Sequence, residues 1–457
     1  MVSVLIKNAY LVTVNSKNEV IRDGSLYIKD GRIEEIGKSN SAKTRTAELV
    51  IDGTGKLVLP GLINTHVHLA QAILRGMVPD YLRGVEWLRD WTWPFQGIMT
   101  PAEAETSAKL AMLEMIDTGT TSFLASSVNG RYDVDRVIGT VYRSGMRSAI
   151  GRQVMDSPGY ANNSQAVHQG LVEEAGTSLR NFEEMYKKWN AKDNRIWLWL
   201  SPRSAGAVSD ELFRRIALIT SQHHSGITMH LAETSEEARY FGARHTTPAR
   251  FVEGFGMTGP KYVYVHCVLL DESDMEVFAR THSSVSHNPS SNSKGGSGIA
   301  KVVKMLGKGV NVSLGTDGGP SNDSYDLLRE MKTALLLQKS DNRNPKAIGI
   351  MEGIRMATIN GATALGIDHL VGSLEAGKSA DIAIYDLRRP NLTPSTIAPL
   401  SNLVYAGFGS CASDVIIDGE FVKKDGKVLT LDADEIIKSA NKLSADIYSR
   451  AGKKDWM

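Results

Sequence analysis

Eight short apolar segments recur between residues 61 and 317, and stretches with helical periodicity separate them. In chain order they are GLINTHVH, TTSFLASS, RSAIGRQV, IWLWLSPR, GITMHLAE, YVYVHCVL, SSVSHNPS and VNVSLGTD. The stretches between them include PAEAETSAKLAMLEMIDTG and SDELFRRIALITSQH. Eight strands that alternate with helices predict an α/β fold of the (β/α)8 TIM-barrel type. A doubly wound sheet is the alternative, but it would show a glycine-rich turn after strand one, where this chain has HLAQAILRG.

The two ends of the chain have a different pattern, with short strands punctuated by Asp-Gly turns. Near the amino end stand SVLIKNAYLVTV, SLYIKDGRIEEIG and AELVIDGTGKLVLPG, and near the carboxyl end ADIAIYDL and DVIIDGEFVKKDGKVL. We expect both termini to form one small β-sandwich domain around an inserted barrel. The predicted units are residues 1–57, the barrel at 58–378, and residues 379–457, where ADEIIKSANKLSADIYSRA predicts a terminal helix.

The composition favours a cytoplasmic enzyme that acts on a small molecule. The net charge is +1, from 52 basic and 51 acidic residues, which argues against nucleic acid or a membrane surface as partner. No apolar run approaches the roughly 18 residues that a bilayer requires, and the first residues lack the pattern of a signal peptide. Cys267 and Cys411 are the only cysteines, which excludes a disulfide framework. We also expect a homo-oligomer.

Histidines and carboxylates stand where the predicted strands end, which is where barrel enzymes carry their active sites. His66 and His68 end strand one and share a face, because side chains alternate along a strand. Strands five, six and eight end in His230, His266 and Asp317. Three imidazoles and a carboxylate are an ordinary ligand set for Zn²⁺ or Fe²⁺. The sequence therefore predicts a metal site at the carboxyl ends of the strands.

The end of strand four bears on the number of metals. Binuclear barrel hydrolases bridge two metals with a carboxylated lysine at that position. Here the strand ends in WLSPRS, with Arg203 and no lysine, so we expect a single metal. His287, in SHNPSSN after strand seven, faces the same region without an assigned role.

Five motifs carry a resemblance to a known family: PGLINTHVH, HLAET, VHCV, SHNPSSN and SLGTDGGPSND. On them the chain resembles the amidohydrolase superfamily, in its mononuclear metal-dependent deaminase branch, over essentially its whole length. The resemblance implies one divalent metal, Zn²⁺ before Fe²⁺, with the ligands His66, His68, His230 and Asp317. It implies three catalytic residues, which are Glu233, His266 and Asp317.

The resemblance also implies a reaction. Within the branch, GIDHLVGSLEAGKSADIAIYDLRRP and VIIDGEFV are most similar to the group of atrazine chlorohydrolase and melamine deaminase. S-Adenosylhomocysteine and methylthioadenosine deaminases share HLAET, SHNP and GTDG almost as well. We expect a deaminase that adds hydroxide to the amino-bearing carbon of an N-heteroaromatic ring. Dehalogenation of a chloro-s-triazine, deamination of the two adenosine derivatives, and a binding protein without catalysis are the alternatives; the intact Glu233 argues against the last.

The substrate that we expect depends on positions at which this sequence differs from the adenosine deaminases of the branch. Their ribose-binding Glu is Gln96 here, in EWLRDWTWPFQ, and the His of their Gly-Pro-His-Ser motif is Arg203. Gln71 and Gln96 resemble the triazine hydrolases, although that group has larger residues near Gly84 and Gly318. The side chains expected to contact substrate are Gln71, Trp87, Gln96 and Arg203. The amide groups of Gln71 and Gln96 and the planar cation of Arg203 favour a free amino-heterocycle over a nucleoside as the substrate.

Overall fold

Five strands form the amino-terminal part of the structure, a computed structural model that describes residues 2–39, 46–82 and 84–454. They are β1 Val4–Val12, β2 Val20–Lys29, β3 Arg32–Lys38, β4 Leu49–Asp52 and β5 Lys56–Pro60. Asp30 and Gly31 join β2 to β3 with φ values of 48° and 76°. Positive φ at both central residues is the geometry of a tight hairpin turn, and Asp-Gly is a preferred pair for it. The hairpin predicted from KDG is confirmed.

Eight parallel strands follow and form the barrel. They are β6 Leu62–Val67, β7 Thr120–Val128, β8 Arg147–Val154, β9 Ile196–Pro202, β10 Ile227–Leu231, β11 Tyr262–His266, β12 Ser284–His287 and β13 Asn311–Leu314. Nearly all their residues are buried, as expected of parallel strands that helices cover. A parallel bridge between Val67 and Asp317 joins the first strand to the segment after the last. All eight predicted strands are confirmed.

The carboxyl-terminal strands return to the first five. They are β14 Ile382–Asp386, β15 Ala412–Ile417, β16 Glu420–Lys424 and β17 Lys427–Val428. The sheet order is β17-β16-β15-β14-β5-β1-β2-β3, with β4 beside β1, so both termini build one hydrogen-bonded sheet as predicted. The predicted domain boundary after residue 57 falls inside β5, because Lys56–Pro60 pairs with both β1 and β14.

The helices lie mainly between the barrel strands. They are α1 Gly84–Trp87, α2 Trp93–Ile98, α3 Pro101–Asp117, α4 Val134–Arg143, α5 Ala175–Trp189, α6 Asp210–His223, α7 Ser235–Ala243, α8 Pro248–Gly254, α9 Glu272–Thr281, α10 Pro289–Lys294, α11 Val302–Gly307, α12 Gly319–Asn322, α13 Leu327–Asp341, α14 Ile350–Met356, α15 Ile359–Leu365, α16 Pro399–Ala406 and α17 Ala433–Arg450. Thr100 and Glu103 start α3 with a capping box. Among the described residues, none of the helices combines the length and the apolar character that a membrane crossing needs.

A buried arginine ties the barrel to the terminal sheet. Arg147 begins β8, and its side chain is fully buried. Its guanidinium donates to Asp381 at 2.7 and 3.0 Å, to Ser379 at 2.6 Å and to Asp418 at 2.9 Å. Burial opposes its charge, but the carboxylate of Asp381 outweighs burial, and the pKa of Arg147 is raised. The two parts of the fold therefore share one satisfied ionic contact.

We expect Arg147→Met to lower the free energy of unfolding by about 3–5 kcal/mol, because it leaves the buried carboxylate of Asp381 without a cationic partner. The matched control is Arg388→Met, whose pair with Asp386 lies on the surface and whose loss should cost much less. Urea unfolding of both variants measures the difference. Equal losses would contradict the structural role assigned to Arg147.

Candidate active site

Four side chains converge at the carboxyl end of the barrel, each contributing one nitrogen or oxygen atom. The Nε2 atoms of His68 and His230 lie 3.1 Å apart. Asp317 Oδ1 lies 3.2 Å from Nε2 of His66 and 3.3 Å from Nε2 of His68. The three imidazole ring centroids are 4.7–5.1 Å from one another. The residues predicted from separate strand ends are thus brought to one point.

The backbone at two strand ends helps to direct these side chains. His266 ends β11 with φ of 71°, and Asp317 follows β13 with φ of 69°. Such values are uncommon for residues other than glycine, and they concentrate at functional sites. The Asp317 N–H also donates to the carbonyl of His66 at 2.9 Å, which holds the two ligand candidates side by side.

The protonation states of this cluster suit a cation. Burial lowers the pKa of His66, His68 and His230, so their imidazoles are neutral. Burial alone would raise the pKa of Asp317, but the hydrogen bond from His66 holds the pKa of this carboxyl well below its usual range. Neutral imidazoles and an ionised carboxylate are the forms that bind a divalent metal.

The cluster also leaves polar atoms that a metal would satisfy. Two Nε2 atoms 3.1 Å apart cannot both present a lone pair to the other without repulsion, whereas a cation between them accepts both. Two groups of three side chains within the described residues have ligand atoms within 4.8 Å of one another: His66, His68 and His230, and His66, His266 and Asp317. The residues present therefore fit a metal ion.

Glu233 and His266 lie beside this cluster. Glu233 Oε2 is 3.6 Å from His266 Nε2. The other ring nitrogen of His266, Nδ1, lies 2.8 Å from the Asn292 carbonyl oxygen, and as the N–H donor it leaves Nε2 free toward the pocket. The Ser291 hydroxyl donates to Asp317 Oδ2 at 2.6 Å. Ser291 and Asn292 were not singled out from the sequence, although both belong to the SHNPSSN motif.

A second buried carboxylate holds the segment that carries Glu233. Glu237 Oε2 accepts the backbone N–H of Glu233 at 2.8 Å and that of Thr234 at 3.4 Å. Burial, and then the negative charge of Glu233, raise the pKa of Glu237 to about 8. At neutral pH, Glu237 is therefore protonated, and it adds no second charge beside Glu233.

A cavity of about 640 Å³ opens over the cluster. Gln71, Trp87 and Arg203, three of the predicted substrate contacts, lie in its walls. Gln96 lies behind Gln71, whose amide donates to it at 3.3 Å, and it lines a separate cavity of about 280 Å³ together with His68. A contact of Gln96 with substrate would therefore run through Gln71.

Two other candidates of the sequence have a defined place. Arg203 is 6% exposed, its guanidinium lies 5.8 Å from the centre of the Trp93 ring, and no carboxylate of the described residues forms an ion pair with it. Its charge thus remains available inside the cavity. His287 is buried but is absent from the cavity wall, and burial lowers its pKa to about 3.

The sequence matches the Amidohydrolase family over residues 57–422, which is more than half of the chain. The chain belongs to the amidohydrolase family. As a member it is a hydrolase of carbon–nitrogen bonds, and the (β/α)8 barrel with a separate β-sheet domain is the family's architecture. The family resemblance inferred from the motifs is confirmed.

Similar proteins cover nearly all of the chain. It is 38% identical to a 5'-deoxyadenosine deaminase of Methanothermobacter thermautotrophicus, over 93% of this chain and 95% of that protein. It is 36% identical to a 5-methylthioadenosine/S-adenosylhomocysteine deaminase of Bacillus cereus, over 95% and 97%. The crystal structure of an adenosine deaminase from Xanthomonas campestris with bound zinc superposes with a TM-score of 0.91 at 26% identity, over 98% of each chain.

The buried proton of Glu237 predicts a pH dependence of stability. The native state keeps this proton up to about pH 8, whereas an unfolded glutamate releases it near 4.5, so stability falls as pH rises between these values. Glutamine cannot release this proton, so we expect the free energy of unfolding of Glu237→Gln to fall less than that of the parent between pH 5 and 8. The difference should be at least about 1 kcal/mol, since a shift of one pKa unit corresponds to about 1.4 kcal/mol. Denaturant unfolding across this pH range measures it. The exposed Glu276→Gln is the control, and identical slopes in both variants would contradict the assignment.

Proposed function

We propose that the chain is a zinc-dependent deaminase of an adenine nucleoside derivative. The observation that carries the proposal is the convergence of His66, His68, His230 and Asp317 beside Glu233 and His266. Relatives that cover almost the whole chain are deaminases of 5'-modified adenosines, which supports the substrate class.

In this proposal, the metal ligands are His66, His68, His230 and Asp317. A bound divalent cation supplies an acidified water as the source of hydroxide near neutral pH. Zinc is preferred over iron because nitrogen and carboxylate ligands suit it and because a solved relative carries it. His266 is given a catalytic role and not a ligand role, as the family resemblance implies, with its Nε2 3.6 Å from Glu233 Oε2.

Each remaining side chain has a task in moving protons. Glu233 takes one proton from the attacking water and donates it to the ring nitrogen next to the amino-bearing carbon, which makes that carbon accept a nucleophile. Asp317 accepts the second proton of that water and delivers it to the departing amine. His266 Nε2 accepts a hydrogen bond from the hydroxyl that is added to the ring carbon. The carbon–oxygen bond forms, the carbon–nitrogen bond breaks, and the products are a lactam and ammonia.

The substrate choice replaces one expectation from the sequence. Gln96 and Arg203 favoured a free amino-heterocycle, whereas the relatives at 36–38% identity are named for adenosine derivatives. Gln96 does not reach the main cavity, which weakens the argument drawn from it. Gln71, Trp87 and Arg203 remain our candidates for substrate contact. Triazine dehalogenation, the homo-oligomeric state and the cytoplasmic location stay predictions.

Ammonia release tests the function directly. We expect the zinc-loaded protein to release ammonia from 5'-deoxyadenosine or methylthioadenosine with a kcat/KM at least tenfold above those for adenine and melamine. Higher kcat/KM for a free base would overturn the nucleoside proposal while leaving the deaminase chemistry intact. No ammonia from any of the four compounds would overturn both.

We expect His230→Ala to lose most of its bound zinc, because the loss of one of four ligands opens the site. Purified parent should carry close to one equivalent by elemental analysis. The control is His245→Ala, which removes an exposed histidine and should keep the parent's zinc content. Full zinc occupancy and activity in His230→Ala would contradict the ligand set.

Glu233→Gln separates proton delivery from metal binding. The variant should keep its zinc and its thermal stability while kcat falls at least about 100-fold, the lower range for a lost general acid. The exposed Glu211→Gln should keep the parent's kcat. Parent-like turnover in Glu233→Gln would require another proton donor for the ring nitrogen.

A further inference from the structure

Gln71 carries a buried acceptor that no group of the described protein satisfies. It lies three residues beyond His68, is 4% exposed, and lines the main cavity. Its side-chain oxygen Oε1 is buried and has no hydrogen-bond partner among the described residues. An unpaired buried acceptor costs about 1–3 kcal/mol, and such groups in native proteins call for a partner. The cavity is where that partner can come from.

A chain of hydrogen bonds occupies the amide nitrogen of Gln71. Gln71 Nε2 donates to Gln96 Oε1 at 3.3 Å, and Gln96 Nε2 donates to the Tyr132 hydroxyl oxygen at 3.2 Å. Gln96 and Tyr132 are 7% and 2% exposed, so water does not compete freely for these bonds. With its amide nitrogen bonded to Gln96, the end of the Gln71 amide that lacks a partner is the oxygen.

Gly318 makes room for this oxygen. Its φ is −104°, a value that any residue can adopt, so the backbone does not require a glycine here. A Cβ at this position would lie 1.8 Å from Gln71 Oε1. The absence of a side chain at Gly318 therefore leaves the space that the Gln71 side-chain oxygen occupies. It also places the acceptor directly beside the residue that follows Asp317 in the chain, close to the proposed metal.

We propose that Gln71 is a specificity residue that accepts a hydrogen bond from a substrate hydroxyl, and that Gln96, Tyr132 and Gly318 position it. The inference rests on the proposed function. In 5'-deoxyadenosine, the donors outside the reacting ring are the 2'- and 3'-hydroxyls. A site with a buried acceptor discriminates against an analogue that lacks the donor, since the acceptor is then left unpaired.

The test compares kcat/KM for 5'-deoxyadenosine with kcat/KM for its 2',5'-dideoxy and 3',5'-dideoxy analogues. We expect the parent to favour 5'-deoxyadenosine at least tenfold over one of the analogues, and Gln71→Met to reduce that ratio to within twofold of one. Tyr132→Phe and Gly318→Ala should each reduce the ratio at least threefold, since the first frees the Gln96 amide and the second displaces Gln71. The exposed Gln222→Met is the control and should keep the parent ratio.

The outcomes separate this inference from the proposed function. If the parent deaminates all three nucleosides equally well, or if Gln71→Met lowers kcat/KM for all three by the same factor, Gln71 does not read a hydroxyl and the inference is wrong. If the parent deaminates none of them, the nucleoside function itself is wrong and the inference is wrong with it. Zinc content and melting temperature are measured for each variant. If Gln71→Met does not fold, the kcat/KM ratio between 5'-deoxyadenosine and its dideoxy analogues in Tyr132→Phe and Gly318→Ala tests the inference instead.

Discussion

The mutual approach of three neutral imidazoles and one carboxylate, all buried, is the constraint on which the rest of the site depends. His68 and His230 bring two ring nitrogens within 3.1 Å, and Asp317 lies within 3.3 Å of His66 and His68. Burial keeps the imidazoles neutral by lowering the pKa of each. Such a group is stable only when a cation or an extensive set of hydrogen bonds compensates for lost water. A divalent metal does so and also supplies the chemistry.

The groups around this cluster fix its geometry and its charge. Ser291 and Asn292 each hold a side chain of the site, Asp317 and His266 respectively. The protonated side chain of Glu237 accepts the backbone N–H of Glu233, so it fixes the segment that carries Glu233 without adding a charge of its own. Partners of this kind orient ligands and catalytic groups and tune their basicity. The proposed mechanism therefore depends on helices α7 and α10, and on the residues that lead into them from β10 and β12, as well as on the strands themselves.

Much of the architecture could be predicted from the sequence. Eight apolar segments separated by helical stretches predicted the barrel. Histidines at the ends of these segments predicted the metal cluster, because strand periodicity and strand direction determine where those side chains meet. The roles of Gln96, Asn292 and Gly318 could not be predicted in the same way. They depend on contacts between segments far apart in the chain: Gln96 with Tyr132, Asn292 with His266, and Gly318 with Gln71. No periodicity encodes such contacts.

Crystals of the zinc-loaded protein, measured on both sides of the zinc absorption edge, test the central claim most directly. The account predicts one anomalous peak per chain, about 2.0–2.2 Å from a nitrogen of each of His66, His68 and His230 and from an oxygen of Asp317. A peak elsewhere in the chain, or a second peak of equal height in the pocket, would contradict a single zinc held by these four residues.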